Sequence, residues 1–363
     1  MQFHSAGRAA KAPSGAARLE RRGVRHGWVS SAGKRAPVDP ASEAARDDAL
    51  ARWPGARAIH LPGALASDLR KHARAIRSTL LLFERLRRGA SFQDALWARA
   101  ARDARFEPAG ATRDLGDARE IEKVFADARS GGRLVARDLY AKLSWISHDP
   151  RDVSLRIRFS FGAEQLFDWQ REVRRAPWSD GLAEAVFPEC AVLTANEALV
   201  ELIERACGRR ARFSERIVYN NAPGGGAVFH CDVEPNQLGV LYGQLAGETG
   251  WLALPKRELA AELVDFLHGT RLARKAPTVR KALRWLDDED DRELGRLLNH
   301  TPRFTRRLVE RGAFVRLRAG DALLLPSPGP DDACWHSVFA LGRAPSLAHS
   351  YGIFAARRAA SVR

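Results

Sequence analysis

A series of short apolar segments, each closed by glycine, proline or a polar turn, runs through residues 210 to 356 and narrows most what this chain can become. "RFSERIVYNN", "GAVFHCD", "LGVLYGQL", "GWLALP", "FVRLRAGDALLLP", "ACWHSVFAL" and "SLAHSYGIFA" have the length and punctuation of strands. Repeated short strands of this kind require a closed or sandwiched antiparallel barrel. "VSLRIRFSFG", residues 153 to 162, alternates apolar with polar residues and predicts one more strand, half buried.

Upstream the apolar spacing is that of helices. "ALASDLRKHARAIRSTLLLFERLRRG" places leucine and isoleucine three and four apart and stops at Gly89, and Ser91 is positioned to cap the next helix. The stretch 117 to 145 continues the helical reading, interrupted at Gly131 and Gly132, and a further helical interval over 180 to 208 ends on Gly208. Residues 256 to 312 differ from the strands on either side. "KRELAAELVDFLHG" has Pro255 before it and Gly269 after it, and two more helical pieces follow, so the segment reads as a helical insertion in the barrel. The expected organisation is a basic tail over 1–48, a mainly helical region over 49–150, a barrel domain over 151–356 with its insertion at 256–312, and a short tail over 357–363.

The net charge of +15 raises the question of a nucleic-acid partner. The charge is diffuse, carried by arginines scattered among alanines, and no helix-turn-helix, zinc-finger or aromatic RNA-binding signature accompanies it, so nucleic acid is not expected. Cys190, Cys207, Cys231 and Cys334 form no CxxC pair, which argues against a disulfide framework or zinc knuckle and fits a reducing cytoplasm. No apolar run has the length of a membrane span. The arginine-rich, acid-poor N-terminus would also suit a transit peptide. Nothing in the sequence speaks to oligomeric state.

The chemistry concentrates in "VFHCDVEPNQ". Side chains at i and i+2 of a strand share a face, so His230 and Asp232 point together while Cys231 points away. A carboxylate inside a barrel is costly unless it is paired or bound to metal. A second histidine would complete a facial triad. The best candidate is His336, which follows the turn after "GDALLLP" and opens an apolar strand among Trp335, Val338 and Phe339. Hydrogen bonding without metal is the plain alternative for His230 and Asp232.

The order H-x-D, then G-D-A-L-L-L-P, then W-H-S-V resembles the Fe(II)- and 2-oxoglutarate-dependent dioxygenases, in particular the Jumonji-C and cupin-like branch, over about residues 210 to 356. The resemblance implies an α+β fold built on a double-stranded β-helix (cupin or jelly-roll) barrel. It implies Fe(II) held by His230, Asp232 and His336, with 2-oxoglutarate and O₂ as co-substrates and hydroxylation of a small-molecule or peptidyl substrate. Asn236 matches an asparagine that follows the aspartate in Jumonji-C strands. The family's lysine anchor for the distal carboxylate has no counterpart, since 233 to 255 contain no Lys or Arg and Thr249 stands about where it is expected. Arg343 comes earlier than the family's arginine. His349 and Tyr351, which share a face of the last strand, and Tyr219, Asn220 and Asn221 are the other anchor candidates. A metal-dependent cupin that does not use 2-oxoglutarate and a basic non-catalytic binding protein are the competing readings.

Overall fold

In the computed structural model, the described residues are 36–356 except 163–173 and positions 233, 289 and 330; the expected tails fall mostly outside them. The first described helix, α1 (Glu43–Arg52), begins inside the segment expected to be tail, because Ser42 accepts the Ala45 amide and closes its N-terminus. A short strand β1 (Ile59–Leu61) precedes α2 (Ala66–Arg87), and α3 (Phe92–Ala100) starts at the predicted Ser91 cap.

The stretch 117–145 corrects the helical expectation. It forms β3 (Glu120–Ser130) and β4 (Arg133–Trp145), paired as a hairpin and preceded by β2 (Phe106–Thr112). Gly131 and Gly132, both at positive φ (56° and 77°), are the two-residue turn that matches strand twist, and Val124, Ala126 and Ala128 are buried at alternate positions. Its alanine, glutamate, lysine and arginine content favours a helix locally, and the sheet overrides that preference.

The remaining strands are β5 (Leu155–Phe161), β6 (Ala211–Asn221), β7 (Gln237–Ala246), β8 (Glu248–Pro255), β9 (Phe314–Arg318), β10 (Ala322–Pro326), β11 (Cys334–Ala340) and β12 (Ser346–Ala355). Between β5 and β6 lie α4 (Ala176–Val186), α5 (Ala191–Thr194) and α6 (Glu197–Cys207), the last ending at Gly208 with φ 68° as expected. The insertion is helical as predicted: α7 (Lys256–Leu267), α8 (Val279–Leu286), α9 (Arg292–His300) and α10 (Pro302–Glu310).

All pairings are antiparallel. Nine strands form one sheet in the order β1-β10-β7-β12-β6-β5-β4-β3-β2, and β11-β8-β9 form a second. Val240, Tyr242, Leu323 and Leu325 from the large sheet meet Trp251, Ala253 and Val338 from the small one in a shared apolar layer. Helices cover both outer faces. Phe83, Phe187, Leu193, Leu202 and Ile203 pack on the back of the large sheet with Val218, Leu347 and Tyr351, while the insertion packs Leu259, Leu263, Leu286 and Phe304 on Leu252 and Leu254 of the small sheet. Strand burial is therefore two-sided, as in β12, where all positions from Ser346 to Phe354 are buried.

Candidate metal centre

The predicted strand "GAVFHCD" forms no extended ladder, and it lies against β11 through the His230–His336 bridge and the Val338 amide, which donates to the Ala227 carbonyl at 3.2 Å. The glycine run before it makes that approach possible. A Cβ at Gly225 would collide with the Asp152 and Ser154 side chains, and one at Gly226, where φ is 152°, would strike the Val338 carbonyl. Asp152 instead accepts the Gly226 amide at 3.1 Å and holds the turn.

The bridge sets the two histidines opposite each other. The His230 amide donates to the His336 carbonyl at 3.0 Å and the His336 amide to the His230 carbonyl at 2.8 Å, leaving the ring centroids 4.3 Å apart. Asp232, two residues on, spans them: Oδ1 lies 3.6 Å from His230 Nε2 and Oδ2 lies 3.6 Å from His336 Nε2. One ligand atom from each residue falls within 4.8 Å of the others. In both rings Nδ1 faces a backbone carbonyl, Val228 at 2.8 Å and Cys334 at 3.3 Å, so a Nδ1–H there leaves both Nε2 lone pairs toward Asp232. Two imidazoles and a carboxylate on one side are the donor set of a facial triad, which suits Fe(II) with coordination positions open.

The electrostatics match that use. Burial and the neighbouring His230 push His336 down to about 4, against the pull of Asp232, so it is neutral at neutral pH. Burial would raise Asp232, but His230 and His336, helped by Arg156 and Arg158, hold it below the usual carboxylate range.

The triad borders a cavity of about 760 Å³, within the size range of small-molecule sites. Tyr219, Asn221, Tyr242 and Trp251 form its inner wall, the Trp251 ring 5.4 Å from His336 and 4.6 Å from Tyr242. Cross-strand register puts Arg156 beside Tyr219 and Arg158 beside Ile217 on this same face. Arg158 is engaged by Glu215 at 2.8 Å, and Arg156 donates to Ser144 Oγ at 3.1 Å. Neither arginine was among the sequence candidates. The signal was present in "LRIRF", whose arginines share a face, but alternation marks a polar face without saying whether solvent or a cavity lies beyond it.

The structure brings Tyr219 and Asn221 to the cavity; the Asn221 side-chain oxygen is buried without a hydrogen-bond partner. Asn220 is turned the other way, with its amide nitrogen donating to the Ser346 carbonyl at 3.0 Å. The other anchor candidates do not line the cavity. Asn236 is exposed at a left-handed turn position with φ 63°, and Arg343 is exposed in the loop before β12. Thr249 is buried in a chain of side chains, donating to Gln244 at 2.8 Å and accepting from Trp251 Nε1 at 3.0 Å. His349 and Tyr351 do share a face, but it is the helix-covered one. His349 lies 3.3 Å from Cys190 Sγ and 3.7 Å from Glu189, and the Tyr351 hydroxyl donates to the Cys190 carbonyl at 3.0 Å. Ser350 and Gly352, at the intervening positions, are the β12 residues that face the cavity.

No protein-family model and no curated protein matches the chain. Solved structures similar to it include YcfD, a ribosomal oxygenase from Escherichia coli, at 14% identity and TM-score 0.27, covering 74% of this chain and 44% of that one. A YcfD structure in complex with cobalt and 2-oxoglutarate matches at 13% identity and TM-score 0.24, covering 74% and 45%. An oxidoreductase of the 2OG-Fe(II) oxygenase family from Burkholderia pseudomallei matches at 13% identity and TM-score 0.33, covering 90% of this chain and 100% of that one. The chain spans less than half the length of the YcfD chains it matches.

Among the described residues no helix is long and apolar enough to cross a membrane.

Proposed function

We propose that the chain is an Fe(II)- and 2-oxoglutarate-dependent oxygenase acting on a C–H bond of a small-molecule or peptidyl substrate, with the oxygenase domain over about 151–356. The observation that carries this reading is the convergence of His230, Asp232 and His336, with both Nε2 atoms turned toward one carboxylate at the edge of an arginine-lined cavity. A double-stranded β-helix is supported by the interleaving of β6, β12, β7 and β10 in one sheet with the His230 segment, β11, β8 and β9 opposite. Cys190, Cys207, Cys231 and Cys334 form no disulfide among the described residues, which supports a reducing, cytoplasmic setting.

In this reading the two Nε2 atoms and Asp232 hold Fe(II). Arg156, with the Tyr219 hydroxyl and the Asn221 amide near it, receives the distal carboxylate of 2-oxoglutarate, because Arg158 is already engaged by Glu215. With both groups bound, iron and 2-oxoglutarate supply O₂ activation, one oxygen atom ending in succinate after loss of CO₂ and the other in the substrate. The chain's own work is positional. Backbone carbonyls fix the ring tautomers, Asp232 stays ionised, and the Tyr219, Tyr242 and Trp251 wall shields the site from water.

Anaerobic addition of 2-oxoglutarate to Fe(II)-loaded protein should produce a weak visible charge-transfer band, and aerobic incubation should release succinate. Bound iron with neither signal would favour a metal-dependent cupin that does not use 2-oxoglutarate.

A further inference from the structure

The insertion helix α9 brings to the cavity two cations that the metal and its co-substrate leave unused. Arg292 and Arg296 stand one helical turn apart and line the cavity with Gly295 between them. A Cβ at Gly295 would meet nothing within 4 Å, so the glycine leaves the cavity wall open at this point. The helix is tied to the ligand strand: Asn299 Oδ1 accepts the amide of Phe229, the residue before His230, at 2.8 Å.

Of the other arginines that line the cavity, Arg156 is the one assigned to the co-substrate and two are matched by carboxylates. Arg119 pairs with Asp117 at 2.8 Å and Arg158 with Glu215 at 2.8 Å. The other lining carboxylates face other partners, Asp232 between the histidines and Glu234 at 3.8 Å from Arg158. Of the acidic residues near the start of α9, Asp291 and Glu293 are turned to Lys275, at 2.8 Å and 3.6 Å, and Asp287 to Lys256 at 2.5 Å. Among the described residues, neither Arg292 nor Arg296 has a carboxylate within 4 Å. A divalent metal and a dianionic co-substrate would cancel each other's charge, so loading the site leaves the positive α9 wall as it is. A cavity with low-dielectric walls focuses such a potential on what enters.

We propose that Arg292 and Arg296 form an anion subsite that holds a phosphate or carboxylate group of a small-molecule substrate, with the reacting carbon directed at the metal centre. Calling the ligand a substrate rests on the oxygenase reading; the anion site itself does not. The cavity's volume of about 760 Å³ favours a small molecule over a polymer.

The test is calorimetric titration of the Mn(II)-loaded protein, saturated with 2-oxoglutarate, with phenyl phosphate, isophthalate and neutral dimethyl isophthalate. At least one dianion should bind, the stronger arm naming phosphate or carboxylate, and the neutral ester should not. Arg292→Gln/Arg296→Gln, placed on an exposed helix face where glutamine is tolerated, should weaken that binding by about tenfold or more. Arg343→Gln, exposed and outside the cavity, should leave it unchanged and so controls for net charge. Equal binding by the double variant, an equal loss in Arg343→Gln, or equal binding of the neutral ester overturns the proposal. A single-stranded oligonucleotide that binds more tightly than phenyl phosphate, with steep salt dependence, also overturns it in favour of a polymer. Turnover is not the readout, so a missing charge-transfer band would fail the oxygenase reading while a persisting arginine-dependent anion site would stand.

Discussion

Replacing His349 separates a residue of the large sheet's helix-covered face from a residue of the cavity. Its ring is 1% exposed, facing α4 and α5 with Cys190 at 3.3 Å and Glu189 at 3.7 Å, and Phe187 stacked edge-on at 6.2 Å. Burial would depress the imidazole, but Cys190 and Glu189 outweigh it and hold it up at about 9, while Glu189, which burial would raise, is drawn below the usual range chiefly by His349. The rise from 6.5 to about 9 corresponds to about 3 kcal/mol of folding stability. Because the folded state binds this proton more tightly than the unfolded chain, that contribution is complete below pH 6.5 and fades as pH rises through about 9. Glu189 acts in the opposite direction, its share present above the ordinary carboxylate range and lost on acidification.

His349→Gln removes the cation and leaves a buried carboxylate uncompensated, a loss of about 3–5 kcal/mol near neutral pH. Glu189→Gln combined with it should restore most of the difference. Urea unfolding of the three proteins, repeated at about pH 6 and about pH 9, reads both effects, with the wild-type advantage shrinking at the higher pH. Affinity for 2-oxoglutarate, measured where each variant is folded, should not change. A His349→Gln protein as stable as wild type, or one that stays stable and loses 2-oxoglutarate binding, would refute the placement of this histidine.

Other perturbations reach the candidate metal centre directly. Asp232→Ala and His336→Ala should each lose retained iron after desalting, as read by elemental analysis. Arg156→Gln should raise the KM for 2-oxoglutarate by about tenfold or more with metal content unchanged, since a charge-assisted hydrogen bond contributes about 1.5–3 kcal/mol. Asn299→Leu strands the Phe229 amide beside His230, which should reduce stability by about 1–3 kcal/mol and metal affinity by about tenfold or more, measured by urea midpoint and chelator competition. Asn299→Asp keeps an acceptor and should recover part of both.

The proposed triad was legible because it rests on rules that operate over a few residues. Parity puts His230 and Asp232 together, and the order of turn and strand around His336 limits where a third ligand could stand. The helices of the insertion were legible for the same reason, each carrying its own apolar stripe and breakers. The β3–β4 hairpin was hidden under helix-forming composition, although Gly131–Gly132 was a hairpin turn in plain view.

The cavity wall was hidden for a different reason. Parity groups His349 with Tyr351 and Arg156 with Arg158 correctly, yet says nothing about which group faces the site. In a one-sided sheet hydrophobicity answers that question, because the polar face is the wet one. Here helices cover the back of the large sheet and the small sheet covers its front, so both faces of β12 are buried and the cue disappears. What decides the matter is register: Arg156 opposite Tyr219, Tyr219 opposite Ala348, and Ser350 between Ile217 and Tyr242. Those pairings join segments far apart in the chain, across α4 to α6 and across the whole insertion, so Arg156, the arginine we propose in place of the missing lysine, comes from a strand upstream of the region in which the family resemblance directs the search.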